Sequence, residues 1–165
     1  MPYSFFLFLV TGGMSSPAVA QVYDPEKLNK KAVQLYNQAL ERAQDGNLAN
    51  AAGLLLQCIE IDKKYADAYL SLAGIYGQLK NHKSSTEYYE KAFAIDTGYT
   101  IDYKLPYSIN LAGMGEFEKA LAAIHELLSH NLPKTSATYK AAEFRKRSYE
   151  FAVEYAQKNA AKPWV

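Results

Sequence analysis

The sequence predicts an all-α fold in which helix pairs stack side by side as an α-solenoid. The segment 58–65 (Cys-Ile-Glu-Ile-Asp-Lys-Lys-Tyr) returns 34 residues later as 92–99 (Ala-Phe-Ala-Ile-Asp-Thr-Gly-Tyr), with apolar, acidic and aromatic positions in the same order. A turn followed by a small residue also recurs, and the small residues are Ala51, Ser85 and Ala120, which lie 34 and 35 residues apart. A fixed period of this length is typical of repeat proteins, whose units stack on their neighbours instead of closing a core of their own.

Helical periodicity around the turns is the third observation. Before the second turn, apolar residues recur at i, i+3, i+4 and i+7, the spacing of one helix face. These residues are Tyr69, Leu72, Ala73 and Tyr76. The small residues after the turns fall where a second helix starts back across the first, so a larger side chain there would hold the two helices apart.

The predicted helices follow in order along the chain. Residues 25–44 form the first, because Pro25 suits a first helical turn and Glu26 suits the positive end of the helix dipole. The next five helices are predicted at 48–62, 66–79, 83–96, about 102–113 and 117–130. Pro133 follows the sixth helix as a breaker, and Thr135 or Ser136 caps a long final helix that ends near Asn159.

The final helix is predicted to cap the stack. Its small and aromatic residues form one stripe, which we expect to face the stack, while charged residues cover the other faces. The stripe consists of Ala137, Ala141, Phe144, Ser148, Phe151, Ala152 and Tyr155. The Arg145-Lys146-Arg147 triplet stands between Glu143 and Glu150. This mixture of charges favours a solvated surface over a basic docking site.

These anchors resemble those of the tetratricopeptide repeat family. The family's pattern has an aromatic residue, then Leu followed by a small residue, then Tyr. A small, an aromatic, a small and an acidic residue follow, and the middle repeat has all of them. The matching residues are Tyr69, Leu72, Ala73, Tyr76, Ser85, Tyr89, Ala92 and Asp96. The departures are Lys63 and Thr97, where the family has a closing Pro, and Lys80, where it has a turn Gly. The resemblance covers residues 31–132.

The resemblance implies a right-handed α-solenoid of about three tetratricopeptide helix pairs, closed by a long C-terminal capping helix. The implied repeats are about 32–65, 66–99 and 101–134, followed by a capping helix at 136–159, all within one domain of residues 21–160. Residues 161–165 would then begin a linker or a further domain.

Composition bounds the classes of partner. The chain has 165 residues and a net charge of +1 from 18 basic and 17 acidic residues, so it offers no electrostatic footprint for nucleic acid or an anionic membrane. We expect most of the 14 tyrosines to pack between helices rather than to form a recognition surface. Cys58, the single cysteine, fills the position of Ala92 in the next repeat, which indicates core packing rather than a reactive thiol.

The first twenty residues differ from the rest of the chain. An apolar run from Phe5 to Val10 precedes Ala18-Val19-Ala20, the small-x-small cleavage pattern of a secretory signal. The run is too short to span a bilayer as a helix, so no transmembrane span is expected. No Lys or Arg precedes Lys27. We expect residues 1–20 to be a signal peptide that directs the chain to the periplasm, and the alternative is an apolar tail on a cytosolic protein.

Candidate catalytic and metal-binding residues are few. The histidines are His82, His125 and His130, and none has carboxylates or other histidines at metal-ligand spacing. His82 stands at the turn position of Leu48 and Phe117, which favours packing. No nucleophile motif or phosphate-binding glycine loop is present in the sequence. The sequence therefore predicts a non-enzyme without cofactor or metal.

The expected functional surface is the concave face, which the first helix of each repeat lines in the family. By the family's spacing, the groove residues that would bind a partner are Tyr36, Leu40, Leu70, Gln78, Leu105 and Ile109. The family's chaperone-tail receptors hold a terminal carboxylate with Lys and Asn at such positions, and this chain has Tyr36 and Leu40 instead. We expect a protein or peptide partner with an apolar helix or extended segment. The alternative is that the capping helix or another domain covers the groove.

A second resemblance concerns the C-terminal third. Leu105-Pro106-Tyr107 and the runs 113–120 and 147–156 are similar to the N-terminal regions of Bacteroidota envelope proteins that continue into an OmpA-like domain. This resemblance implies a periplasmic, outer-membrane-associated scaffold, with downstream domains as further possible partners. A general cytosolic adaptor and an accessory subunit of an envelope peptidase or cell-wall enzyme are the alternatives.

Overall fold

The computed structural model describes residues 22–160. The expected signal peptide at 1–20 and the expected linker at 161–165 lie outside the described residues. Within them the chain is helical, without a β-strand, as the sequence predicts. The helices are α1 (Lys30–Gln44), α2 (Leu48–Ile61), α3 (Ala66–Gln78), α4 (His82–Ile95), α5 (Thr97–Thr100), α6 (Lys104–Gly113), α7 (Phe117–Ser129) and α8 (Ala137–Ala160). Among the described helices none is both long and apolar enough to span a membrane.

The long helices form three antiparallel pairs. Helix α1 packs on α2, α3 on α4 and α6 on α7, and the pairs follow one another because α2 contacts α3 and α4 contacts α6. Helix α8 packs mainly on α7. One apolar core lies within the first two pairs, and a second lies between the third pair and α8.

The turns within the three pairs have the same hydrogen bonds. The backbone N–H of Asn47 donates to the carbonyl of Arg42, that of Asn81 to Tyr76 and that of Glu116 to Leu111. Each bond runs from the N–H of residue i+5 to the carbonyl of residue i. This bond ends a helix when the residue before the donor has a left-handed backbone conformation. The left-handed residues are Gly46 (φ 77°), Lys80 (φ 59°) and Gly115 (φ 81°). The expected repeat is therefore present in the backbone, including at Lys80.

The small residues after the turns are buried as predicted. Ala51, Ser85 and Ala120 have no exposed surface. The Ser85 hydroxyl donates a hydrogen bond of 2.8 Å to the carbonyl of Ala73, which satisfies its polar group at the contact between α3 and α4.

The first helix starts later than predicted. Residues Pro25–Lys27 form a separate 3₁₀ turn, and Leu28 is extended with φ −71° and ψ 152°. The α-helix begins at Lys30, because the side-chain oxygen of Asn29 accepts hydrogen bonds from the first backbone N–H groups of α1. A single helix over 25–44 is therefore wrong.

The extra residue between the second and third pairs lies in a helical connection. Helix α5 and a 3₁₀ turn at Ile101–Tyr103 fill the space between α4 and α6. Helix α6 consequently begins at Lys104 and has 10 residues, compared with 13 in α3.

The capping helix packs with a different face from the predicted one. Ala142 and Tyr149 are buried, with 0% and 3% of their surface exposed. Three aromatic residues of the predicted inner stripe are exposed instead: Phe144 by 60%, Phe151 by 68% and Tyr155 by 63%. The small side chain of Ala142 lets α8 approach its neighbours closely, which explains why that face is preferred. The sequence-based assignment of the inner face is wrong.

Candidate protein-binding groove

One face of the stack is formed by the first helix of each pair. Helices α1 and α3 are neighbours on it, because the Tyr36 hydroxyl and Ser71 Oγ share a hydrogen bond of 3.2 Å. Helices α3 and α6 are neighbours as well, since a β-carbon added at Gly77 would lie 3.2 Å from the amide group of Asn110. We call this surface of α1, α3 and α6 the groove face.

The structure places the predicted groove residues in different environments. Leu40 on α1 and Ile109 on α6 are 37% and 39% exposed, so both offer apolar surface to a partner. Gln78 is exposed at the end of α3. Tyr36 and Leu105 are half-buried and pack against the first and the second core.

Leu70 differs from the other five predicted residues. Its side chain is only 3% exposed and belongs to the first core, where it packs among neighbours from the first two helix pairs. Leu70 therefore packs in the core beneath the groove face, and its side chain exposes too little surface to contact a partner.

Asp67, in the first turn of α3, organises the polar part of the site. The Tyr23 hydroxyl donates to Oδ2 of Asp67 at 2.8 Å, and the Tyr99 hydroxyl donates to Oδ1 at 2.8 Å. The two tyrosine rings contact each other, with centroids 4.6 Å apart. Hydrogen bonds to an ionised acceptor are stronger than neutral ones, so Asp67 joins α3 firmly to both tyrosines.

Three more tyrosines lie near enough to Asp67 for its charge to act on them, and together with Tyr23 and Tyr99 we call them the tyrosine cluster. They are Tyr36, Tyr65 and Tyr103. The Tyr36 and Tyr65 rings lie 4.9 Å apart, and Tyr65 is buried. Tyr99 and Tyr103 are 44% and 39% exposed. The cluster therefore has a buried base and an exposed aromatic edge.

The environment of the cluster changes how its hydroxyls titrate. Burial raises the pKa of Tyr23 and of Tyr99 well above the usual 10.0, and the hydrogen bond to Asp67 raises it further. Burial likewise raises the pKa of Tyr36, Tyr65 and Tyr103. The shifts therefore bear on alkaline conditions, and the hydroxyls of Tyr23 and Tyr99 are the ones that donate hydrogen bonds to Asp67.

The segment before α1 reaches the cluster along the edge of the stack. We call residues 22–29 the strap. The backbone N–H of Tyr23 donates to Asp96 Oδ2 at 2.9 Å, and that of Asn29 donates to Asp62 Oδ2 at 2.9 Å. Hydrogen bonds from the backbone N–H groups of Tyr99 and Tyr23 lower the pKa of Asp96. The strap is therefore held by the acidic residues that end α2 and α4.

A cavity of about 930 Å³ lies between the strap and the end of α4. Its apolar lining includes Val22, Leu28, Phe93 and Ile95. Its polar lining includes Asp62 and Asp96, the two residues that hold the strap. This cavity lies beside the strap, and the predicted groove residues do not line it.

His82, one of the residues considered for catalysis or metal binding, lies in a packing contact. His82 Nδ1 lies 2.9 Å from the Asn110 side-chain oxygen, and Asn110 Nδ2 donates to the carbonyl of Pro106 at 2.9 Å. His82 is thus a contact between the second and third pairs, in agreement with its predicted packing role. Within residues 22–160 no group of three His, Cys, Asp or Glu residues is arranged to hold a metal ion.

Cys58 is buried with no exposed surface, as predicted for a core residue. Burial raises the pKa of its thiol to about 11. A thiol in this state has little thiolate at neutral pH and is a poor nucleophile.

The sequence did not indicate Asp67 on the groove face, or Tyr99 and Tyr103 at its edge. A signal for Asp67 exists, because it stands three and four residues before Leu70 and Ser71 and so shares their helix face. No local pattern indicates the contact of Tyr23 with Asp67, which joins residues 44 positions apart.

The comparisons with known proteins agree with this architecture. Residues 66–99 match the tetratricopeptide repeat family. The search of curated proteins found no match. A similar solved structure is the Sgt2 tetratricopeptide domain from Aspergillus fumigatus, with 16% identity, a TM-score of 0.66 and coverage of 84% of this chain and 89% of that chain.

Two similar structures contain peptides. The type III secretion chaperone SycD of Yersinia enterocolitica, in complex with a peptide of the translocator YopD, has 14% identity, a TM-score of 0.69 and coverage of 74% of this chain and 95% of that chain. The first tetratricopeptide domain of Spaghetti (RPAP3), bound to the HSP90 peptide SRMEEVD, has 16% identity, a TM-score of 0.66 and coverage of 77% and 98%. The repeated turns, the helix order and these similarities show that the chain has the all-α tetratricopeptide-repeat fold.

Proposed function

We propose that the protein is a non-catalytic scaffold that binds a segment of another protein on its groove face. The observation that carries this proposal is exposed apolar surface on the groove face, at Leu40 and Ile109, together with the exposed rings of Tyr99 and Tyr103 near Asp67 at its edge. Exposed apolar side chains that share one face indicate a binding surface better than single ones scattered over a protein. The peptides bound by SycD and by Spaghetti support the use of this fold for peptide recognition.

The chemistry of the groove face favours an apolar segment with a hydrogen-bond donor. Leu40 and Ile109 provide apolar contacts, and Asp67 is an acceptor that attracts an amide or a basic side chain. A terminal carboxylate would be repelled by Asp67. The proposed partner therefore differs from an acidic C-terminal tail.

A peptide display selection followed by fluorescence anisotropy tests this proposal. Peptides would be selected on the full chain, and the dissociation constant of the tightest one would be measured for the wild type and for Leu40→Ser with Ile109→Ser. Loss of two apolar contacts should weaken binding by about tenfold or more. Leu56→Ser is the matched control, because Leu56 is 38% exposed but lies on α2, away from the groove face. Equal weakening by the control, or none by the double variant, contradicts the proposal.

We further propose that the chain is exported and acts in the bacterial envelope, as the N-terminal part of an OmpA-like protein. The support is the Ala18-Val19-Ala20 pattern after an apolar run, and the expectation drawn above from the sequence of the C-terminal third. Mass spectrometry of the natural protein should find a mature N-terminus near Gln21. An N-terminus that still carries residues 1–20 would instead favour a cytosolic adaptor. Genomic sequence after Val165 that encodes an OmpA-like domain would support the envelope assignment, and an immediate stop codon would count against it.

The second alternative, an accessory subunit of an envelope enzyme, makes a separate prediction. A peptidase or cell-wall hydrolase activity would then co-purify with the chain. Tyr36→Ala with Leu40→Ala would abolish that co-purification while the helical content stayed unchanged. Catalytic turnover by the purified chain alone would contradict the proposal of a non-catalytic scaffold.

A further inference from the structure

Helix α8 has an aromatic stripe on the side that faces away from the stack. Phe144, Phe151 and Tyr155 are 60%, 68% and 63% exposed, and the rings of Phe151 and Tyr155 stack with centroids 6.2 Å apart. Their spacing of seven and four residues places them on one side of the helix. Ala142 and Tyr149, which attach α8 to the stack, lie on the opposite side. A helix that only caps a repeat stack requires a polar outer face, and this one is aromatic.

We propose that α8 pairs with α8 of a second copy of this chain in an antiparallel homodimer. The sequence of the stripe fits a heptad pattern, with Phe144 and Phe151 at one core position and Ser148 and Tyr155 at the other. In the antiparallel arrangement Phe144 of each copy lies beside Tyr155 of the other, and Phe151 lies beside Ser148. Each large ring then meets a neighbouring ring or a small side chain, so two such helices can pack closely.

Charges beside the stripe favour this arrangement. In the same register, Arg147 of each copy faces Glu154 of the other, whose carboxylate also pairs with Lys158 of its own helix, so opposite charges meet at two places. On the other side of the stripe Arg145 faces Ala152, so no like charges meet there. A parallel pair would instead place Lys140 of one copy beside Arg145 of the other. Like-charge contacts oppose association, so the antiparallel dimer is preferred.

The size of the contact indicates a reversible dimer. A fully buried aromatic side chain covers about 150–250 Å², so six rings that are about two-thirds exposed would bury roughly 600–1,000 Å² in total. The flanking side chains of two 24-residue helices add to this area. Specific interfaces begin at about 1,200 Å², and smaller ones are weak or transient. We therefore expect a dissociation constant in the micromolar range.

Analytical ultracentrifugation of the full chain tests the dimer. The wild type should change from monomer to dimer between about 1 and 500 μM. Phe151→Ser should weaken the association by about tenfold or more, because it removes two buried rings from each dimer. Leu79→Ser is the control, since Leu79 is 51% exposed but lies at the end of α3. A monomeric wild type throughout this range overturns the proposal.

Charge reversal tests the antiparallel register. Arg147→Glu and Glu154→Arg should each weaken the dimer severalfold, because each places like charges together. The double variant restores two opposite-charge pairs and should recover wild-type association. A double variant that is as weak as the single variants would show that another surface, or another arrangement of α8, forms the contact. That result would overturn the proposal.

Discussion

Asp67 makes long-range hydrogen bonds with both of its carboxylate oxygens. Its two oxygens accept hydrogen bonds from Tyr23 in the strap and from Tyr99 in α5, 44 and 32 residues away in the chain. A carboxylate at the start of a helix is ordinary, since it faces the positive end of the helix dipole. Its tyrosine partners make this one part of a tertiary contact, which joins the strap, the second pair and the connection to the third pair.

The raised pKa values of Tyr23 and Tyr99 predict a loss of stability in alkali. The folded protein holds these two protons more tightly than the unfolded chain, whose tyrosines titrate near the ordinary value of 10.0. Their contribution to stability is therefore complete below that pH and is lost as the pH rises above it. Urea unfolding measured between pH 8 and pH 11 should show this decline.

The variant Tyr23→Phe with Tyr99→Phe tests the origin of the decline. It removes both titrating hydroxyls at Asp67, so the loss of stability above pH 10 should become smaller. Part of the decline should persist, because burial also raises the pKa of Tyr89 and Tyr107. Tyr139→Phe, in the first turn of α8 and outside the aromatic stripe, is the control. An unchanged decline in the double variant would contradict the assignment.

At the scale of the elements, the three turns are equivalent in backbone conformation and different in sequence. Gly46 and Gly115 adopt the left-handed backbone conformation, which glycine accepts without steric cost. Lys80 adopts the same conformation although it has a β-carbon. A non-glycine residue in this conformation loses about 1–2 kcal/mol. The second turn is therefore strained relative to the other two.

Lys80→Gly should stabilise the protein. Relief of the strain is partly offset by the greater freedom of glycine in the unfolded chain, about 0.5–1 kcal/mol, so we expect a net gain of about 0.5–1 kcal/mol. The reciprocal change Gly46→Lys should destabilise by a similar amount, because a β-carbon at Gly46 meets no atom within 4 Å and only the conformation matters. Chemical denaturation checks both variants. Destabilisation by Lys80→Gly would show that the lysine side chain makes a compensating contact.

Gly113→Ala should destabilise the contact between the second and third pairs. The added β-carbon would lie 2.8 Å from His82 Nε2, which overlaps a ring that is fixed by its hydrogen bond to Asn110. Overpacking of this kind costs about 1–3 kcal/mol. In a His82→Ala background the same change should be neutral or stabilising by up to about 1 kcal/mol, because alanine is the better helix former. Equal effects of Gly113→Ala in both backgrounds, measured by urea unfolding, would contradict this packing.

The sequence predicted the positions of most helices, because turn and small-residue patterns are local and the repeat shows them three times. Burial of Ala51, Ser85 and Ala120 followed from that spacing. The inner face of α8 could not be predicted in the same way. The helix carries two candidate stripes, one through Ala142 and Tyr149 and one through Phe144 and Phe151, and the surface of α7 determines which of them packs.

At the scale of the whole molecule, the sequence predicted which helices form the groove face better than it predicted which of their residues are exposed there. Family spacing indicated Leu40 and Ile109, which are exposed, and also Leu70, which is buried. The strap could not be foreseen, since Tyr23 reaches Asp96 across 73 residues and no local pattern records such a contact. The result is a stack whose groove face has apolar surface at α1 and α6 and an aromatic, acidic site at its edge.

A partner segment bound on the groove face would cover α1, α3 and α6. Hydrogen–deuterium exchange of the full chain, with and without the tightest selected peptide, measures this most directly. We expect slower exchange in α1, α3 and α6 on binding, with little change in α2, α4 and α7. Protection confined to α2, α4 and α7 would place the partner on the opposite surface and would contradict the proposal.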